Sequence, residues 1–325
     1  MHYYCTLFDS MYLSRGLAMY ESLKTHTHEF QLFIFAFDEM SFQILKELNL
    51  RNVTTVSLSE FETSELLEVK KGRSKAEYCW TCTPSIISYL LNKYHFPDCT
   101  YLDADLIFYS DPAILIEEMV ENQKNVLITE HRFSPIAKLY EKKRAGRFCV
   151  QFITFTNDND SIIILEKWRL QCIDWCYARY EDGKFGDQKY LDEWPGVYQN
   201  IHILQHMGGG IAPWNLQQYI FRHNGKSIIG KVKKTGSVFE VVFYHFQYVK
   251  FIKTGSYDIG WYLIPPGFRK MFYIPYLKRL EEIEIKLKKA NLNYQTVFTV
   301  FKVNNLKNIV KTGFKNVFSY NIVKT

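Results

Sequence analysis

The stretch from Tyr101 to Pro112 reads YLDADLIFYSDP, and two acids, Asp103 and Asp105, interrupt an otherwise apolar, strand-like run. In a strand the side chains at i and i+2 share a face, so both carboxylates can reach one ion while Ala104 points away. Like charges paired at the carboxyl end of a strand repel one another and carry a desolvation cost, which a bound cation relieves. Two hard oxygens at this spacing suit a divalent cation, Mn²⁺ or Mg²⁺, that holds phosphate oxygens. The same spacing recurs at Asp158 to Asp160 in TNDNDS. That copy lies in a polar stretch ahead of a helical pattern, where Asp158, Asp160 or Ser161 reads as an N-cap or turn residue. Context separates the two copies: Tyr101, Leu102, Leu106, Ile107 and Phe108 surround the first, and charge is rarely buried without a partner.

Such a pair needs a sheet to position it. The first hundred residues alternate strand-like and helix-like patterns: YYCTLFD, RGLAMYESLKTH, QLFIFAFDE, FQILKELNL and NVTTVSLSEF. This alternation predicts an α/β domain with a mostly parallel central sheet flanked by helices. A longer helix is expected from about Glu77 to Tyr94, leading into the Asp103 strand. In such sheets ligands bind beyond the carboxyl ends of the strands, where Asp9, Asp38 and the Asp103/Asp105 pair all fall. Asp9 and Asp38 both suit turn or cap positions as well, and Asp38 reads as one. Further on come NVLITEHRF, a basic polar loop from about Ser134 to Arg147, the strand-like FCVQFITF and a helix from about Ser161 to Arg179. The segment EDGKFGDQKYLDEWP, a strand at IHIL, the glycine run MGGGIAPWN and a strand at VFEVVFYHF follow.

The chain has 325 residues and 47% hydrophobic content, enough for one large core rather than a disordered chain. No secretion signal is visible at the start, and no apolar run approaches the roughly 20 residues of a spanning helix. Seven cysteines fit reduced thiols in a cytoplasmic protein better than a disulfide framework. Cys79-x-x-Cys82 lacks a second ligand pair at zinc spacing and falls in a helical pattern. The net charge of +6 is unevenly placed, with 12 Lys or Arg against 3 Glu from Pro265 to Thr325. A catalytic domain over residues 1–264 and a basic, partly helical C-terminal extension over 265–325 are therefore expected, divided at Ile264-Pro265-Pro266-Gly267. The stretch TVFTVFKVNNLKNIVKTGFKNVF mixes Lys with apolar residues, a composition that suits a peripheral position on the anionic inner face of a membrane or a solvated face packed on the main domain. Nucleic-acid binding is not expected, because no recognisable motif accompanies the charge.

Taken in order, these segments resemble the nucleotide-sugar-dependent glycosyltransferases of the GT-A (Rossmann-like) fold, especially bacterial surface-polysaccharide transferases and the glycogenin and family 8 group. The resemblance covers about residues 3 to 250. It implies that CTLFDSMYLSRGLAMYESL is the first strand, loop and helix, with nucleotide contacts near Thr6, Phe8, Asp9 and Tyr12. It also implies that Asp103, Ala104 and Asp105 form the family's Asp-x-Asp motif and meet the donor diphosphate through the cation. YHFQYVK, at Tyr244 to Lys250, is similar to the downstream segment whose histidine completes the metal site, which implies His245 as third ligand. An imidazole tilts the choice from Mg²⁺ towards Mn²⁺.

FGDQKYLDEWP resembles the family's Asp-Gln segment and implies that Asp187 and Gln188 face the reaction centre. A carboxylate there can act as a base on the acceptor hydroxyl or stabilise positive charge at the sugar; capping of the helix that follows is the other reading of Asp187. MGGGIAPWN is similar to a glycine loop that closes over the donor, which implies contacts from Gly209 and Trp214; a flexible turn, and core packing of Trp214, are the other readings. Arg73 stands where relatives place a cation near the diphosphate. The chain departs from the pattern in two places. Cys149 and Gln151 replace the usual residues of a sugar-contacting strand, and the glycine and Lys-Pro-Trp that follow the histidine in family 8 are missing.

The function this implies is metal-dependent transfer of a sugar from a nucleotide diphosphate sugar to a hydroxyl on a glycan or lipid-linked acceptor, in surface polysaccharide or glycoconjugate synthesis, with retention favoured. Two other readings stay open. A nucleotidyltransferase would also hold metal-bound phosphates at strand ends, although no glycine-rich, basic loop follows the first strand. Cys149 and Gln151 also suit a catalytically silent protein that binds sugar nucleotides or a membrane surface.

Overall fold

The computed structural model describes residues 1–291, 293–299 and 320–325. In chain order the first strands are β1 (His2–Phe8), β2 (Phe30–Ala36), β3 (Val53–Ser57), β4 (Asp98–Leu102), β5 (Leu106–Phe108), β6 (Val126–Glu130), β7 (Phe148–Thr156) and β8 (Ile201–Ile203). All but β5 form one seven-stranded sheet in the order β3-β2-β1-β4-β7-β6-β8. Its neighbours run parallel except at β7, which is antiparallel to both β4 and β6. This is the mostly parallel, helix-flanked α/β sheet expected from the sequence.

Period-two alternation builds a core on each face. In β2, Leu32, Ile34 and Ala36 join one cluster while Phe33 and Phe35 join the other, so both faces are buried. The first cluster takes Leu13 and Leu17 from the Leu13–His26 helix and Ile44 and Leu45 from the Glu39–Leu48 helix. The second takes Cys82, Ile86 and Ile87 from the Lys75–Tyr94 helix and Ile164, Leu165 and Trp168 from the Asn159–Asp174 helix. Local chemistry starts these helices where the residues demand it. Ser74 and Glu77 form a capping box, Asp38 caps with Ser41, and Asp158 accepts from the backbone of Asp160 and Ser161.

The remaining strands are β9 (Tyr219–Asn224), β10 (Ser227–Val232), β11 (Val238–Glu240), β12 (Phe243–His245), β13 (Lys250–Lys253), β14 (Ser256–Asp258) and β15 (Ile322–Lys324). The single strand expected over VFEVVFYHF is two, β11 and β12, which belong to different sheets. β12 pairs antiparallel with β5, placing His245 opposite Leu106. The Ile274–Ala290 helix contributes Tyr276, Leu277 and Leu280 to the first core cluster, and β15 pairs with β14. Most of the Lys-rich apolar stretch over 296–318 lies outside the described residues. Among the described residues no helix is long and apolar enough to cross a membrane.

One expected loop is a helix, Pro135–Ala145. Its apolar residues follow no clear stripe, so the pattern hides it, but Ser134 caps the backbone of Ala137 and Pro135 supplies a preset first turn.

Candidate functional site

The site lies where β4 ends. The strand stops at Leu102 and the chain turns, with the Leu106 amide donating to the Asp103 carbonyl at 3.3 Å. The shared face of Asp103 and Asp105 therefore comes from a turn and not from a continued strand. The turn is fixed on both sides: the Asp103 amide donates to the Gln151 carbonyl on β7 at 3.0 Å, and the Phe246 amide donates to the Asp105 carbonyl at 2.9 Å. The β5–β12 ribbon then brings His245 in from far along the chain. Its Nε2 lies 3.1 Å from Asp105 Oδ1 and 3.6 Å from Asp103 Oδ2.

Gln151 sets the direction of that ring. Its Oε1 lies 2.6 Å from His245 Nδ1, so the Nδ1 proton is spoken for and Nε2 is the atom that faces the acids. Trp214 packs edge-on against the same ring at 5.4 Å between centroids, and its indole N–H donates to the His131 carbonyl at 2.8 Å. The Tyr101 hydroxyl donates to Asp103 Oδ1 at 3.0 Å. Cys149, two residues before Gln151 on β7, completes the cluster: among the described residues, ligand atoms of Asp103, Cys149 and His245 all lie within 4.8 Å of one another.

Electrostatics follow from burial. Burial pushes Asp103 up to about 6; His245 opposes that shift and the Asp105 charge adds to it. Burial acts to raise Asp105 too, but His245, with help from Arg15, holds it below its ordinary value. Burial alone would lower His245, yet the acids, Asp105 foremost, and a hydrogen bond with the Cys149 thiol hold it well above its ordinary value. The imidazolium thus offsets the charge of the two acids. Two carboxylates, an oriented imidazole and a thiol fit a divalent cation in donor type, and Asp103, Asp105 and His245 are the residues that would hold it.

Asp187 lies beyond Asp103, with its side chain enclosed and its backbone carbonyl accepting from the Trp168 indole at 2.9 Å. Burial and the charge of Asp103 push it up to about 8, so in the free protein it holds a proton at neutral pH. It makes no helix-capping bond, although a helical turn follows it. Gln188 donates to the Ala145 carbonyl at 2.6 Å and ties this segment to the Pro135–Ala145 helix.

The other expected contacts divide by exposure. Asp9 is half-buried, accepts from the Met11 amide at 3.0 Å and sits 3.7 Å from Lys75, while Tyr12 is 40% exposed as a residue although burial of its hydroxyl end pushes it up to about 12. Thr6 and Phe8 are enclosed, Phe8 against Gly16. Gly209 is walled in by Leu204 and Leu115, so it serves packing and not an open approach to a ligand. Trp214 is likewise buried, with its ring spent on His245 and His131. Arg73 donates to the carbonyls of Cys172 and Ile173 at the end of the Asn159–Asp174 helix and to the Thr81 hydroxyl, while its Nε is buried with no hydrogen-bond partner among the described residues. Ala104 is buried at the centre of the turn.

One residue escaped the sequence reading. Arg15 is buried, donates to the carbonyls of Met11 at 3.0 Å and Val249 at 2.7 Å, and lies between the rings of Tyr12 and Phe251. A cation inside an otherwise apolar helical pattern is the signal that marks it, as it marked the acids.

The fold and site define an α/β protein that gathers two carboxylates, an imidazole and a thiol at the carboxyl end of a central strand. The chain belongs to the family of YfnF of Bacillus subtilis (strain 168), an uncharacterized protein to which it is 31% identical over 252 residues, 75% of this chain and 80% of that one. YfnD of the same organism, also uncharacterized, is 28% identical over 285 residues, covering 86% of this chain and 88% of YfnD. No protein-family model matches the chain. Similar solved structures include mouse xyloside xylosyltransferase 1, with 13% identity, a TM-score of 0.47, and 76% of this chain and 98% of that one covered. The bifunctional glycosyltransferase WbbM has 13% identity and a TM-score of 0.43 over 65% of this chain and 39% of its own. The glycosyltransferase GlyE of Streptococcus pneumoniae TIGR4 has 17% identity and a TM-score of 0.40 over 65% and 46%.

Proposed function

We propose that the chain is a metal-dependent glycosyltransferase that moves a sugar from a nucleotide diphosphate sugar to a hydroxyl of a glycan or lipid-linked acceptor, in surface polysaccharide or glycoconjugate synthesis. The observation that carries this reading is the convergence of Asp103 and Asp105, on the turn between β4 and β5, with His245 of β12 on one point. A Mn²⁺ or Mg²⁺ ion held there would supply positive charge to the departing diphosphate. The chain's own residues do the rest. Gln151 and Trp214 hold the imidazole in place, and Tyr101 holds Asp103. Asp9, half-buried, and Tyr12, exposed, stand where a nucleotide can reach them.

Asp187 is the group for the reaction centre. Burial, and secondarily the charge of Asp103, raise its proton affinity, and positive charge in the site would lower it again. The carboxylate then accepts the acceptor's hydroxyl proton or faces the positive charge that develops at the sugar. Retention of configuration follows only from the family 8 resemblance. The inner face of a membrane is the proposed location, resting on the Lys-rich stretch over 296–318. Equal pelleting with anionic liposomes by the full chain and by a chain carrying Gln at Lys302, Lys307, Lys311 and Lys315 would refute it.

The test of the central reading is calorimetric titration with UDP, GDP, CMP and dTDP and their common sugar conjugates, with Mn²⁺ or with chelator. Metal-dependent binding of one base, lost in Asp105→Asn, is the expected result. Binding by no nucleotide, or equal binding by Asp105→Asn, would sink the reading.

A further inference from the structure

We propose that the Cys149 thiolate is a ligand in the cation site, which makes it a mixed oxygen, nitrogen and sulfur site that prefers a borderline cation such as Zn²⁺ or Co²⁺ to Mg²⁺. The proposal rests on the reading that a divalent cation binds at Asp103 and His245.

Geometry selects the thiol. On β7 the side chains of Cys149 and Gln151 fall on one face, two residues apart, and Gln151 is already in contact with His245. Ligand atoms of Asp103, Cys149 and His245 lie within 4.8 Å of one another, close enough for one ion to touch all three. Asp105 lies 3.1 Å from His245 Nε2, so it can join as a fourth ligand once that nitrogen gives up its proton and presents its lone pair to the ion. The surroundings fit a ligand better than a reactive thiol. Cys149 is 5% exposed and packs with Ala137, Ala212 and Trp214, which shut out large electrophiles and oxidants. Burial also keeps the free thiol protonated, against the pull of His245.

Coordination forms a metal–sulfur and a metal–nitrogen bond and breaks the S–H bond of Cys149 and the Nε2–H bond of His245, with both protons released to solvent and no electron transferred. A soft sulfur donor adds affinity for Zn²⁺ and Co²⁺ and little for Mg²⁺, which takes oxygen ligands in a strict octahedron. The position that the family resemblance marked as a departure thus becomes a selectivity element.

Co²⁺ serves as the probe, titrated into the metal-free full chain and followed by absorption. Stoichiometric binding with an intense near-ultraviolet thiolate-to-cobalt band is expected. Cys149→Ser should lose that band but keep the weak visible cobalt bands, with Zn²⁺ affinity falling about tenfold or more and Mg²⁺ affinity unchanged. Cobalt bound without the near-ultraviolet band, or a band that survives in Cys149→Ser, overturns the assignment of Cys149 and leaves the cation site standing. A chain that binds no cobalt overturns both. Visible cobalt bands in Cys149→Ser show that the variant is folded.

Discussion

Replacing Gln151 by Leu removes the acceptor 2.6 Å from His245 Nδ1 while leaving its backbone carbonyl to hold Asp103. The turn that carries the acids should survive, and only the imidazole should lose its guide. Two routes give the size of the effect. An orienting partner of a metal-ligating histidine is worth about 10- to 100-fold in affinity, or about 1.4 to 2.8 kcal/mol. A buried N–H left without a partner costs about 1 to 3 kcal/mol, which agrees. Mn²⁺ titration followed by electron paramagnetic resonance of the free ion reads this directly. Gln151→Leu should bind at least tenfold more weakly, and Gln151→Glu, which keeps an oxygen facing Nδ1, should recover most of the loss. If Gln151 only fills space, its replacement lowers the melting temperature and leaves Mn²⁺ affinity within threefold of the parent. That result would refute the reasoning.

Asp187 predicts a pH dependence of stability. Its folded-state value of about 8 lies above the ordinary 3.8, so the native chain holds a proton that the unfolded chain has released between those values. Stability contributed by this group is therefore full below about pH 4 and declines as pH rises towards 8. Urea unfolding of the metal-free protein at pH 5 and pH 8.5 should show that decline shrinking in Asp187→Asn; the same slope in both proteins would contradict the assignment. Trp214→Phe gives up the 2.8 Å bond to the His131 carbonyl and part of the wall beside His245. It should lose about 1 to 2 kcal/mol in denaturant titrations. Gly208→Ala would set a Cβ 1.8 Å from the Glu240 backbone oxygen, so a melting temperature several degrees lower is expected, and an unchanged one would show that this loop yields.

What was legible in the sequence follows the range of the interactions. Charge against an apolar background marked Asp103 and Asp105, and alternation of patterns marked the sheet, because both signals are local. The break after Leu102 was not legible, since YLDADLIF reads as one strand until β12 arrives to pair with Leu106–Phe108. Gln151 and His245 stand 94 residues apart, and nothing in either segment announces the other. Gly209 and Trp214 carried the right residue types for a loop over a ligand, but burial is a property of the assembled core. Arg73 looked like a phosphate partner because the carbonyls that occupy it belong to a helix 99 residues away.

The ribbon formed by β5 and β12 is three residues long on each side, so its hydrogen bonds alone give little resistance to sliding. A slip of one residue would turn His245 outward and swing Tyr244 or Phe246 towards the acids. What forbids it lies on the opposite face. The Tyr244 hydroxyl donates to that of Tyr273 at 3.1 Å, and Phe246 stacks on Tyr276 at 3.9 Å between centroids. Both partners belong to the helical segment after Pro265, which holds no ligand atom of the site. A chain cut at residue 264 would keep each acid, the imidazole and the thiol, and lose the latch that decides which way the histidine faces.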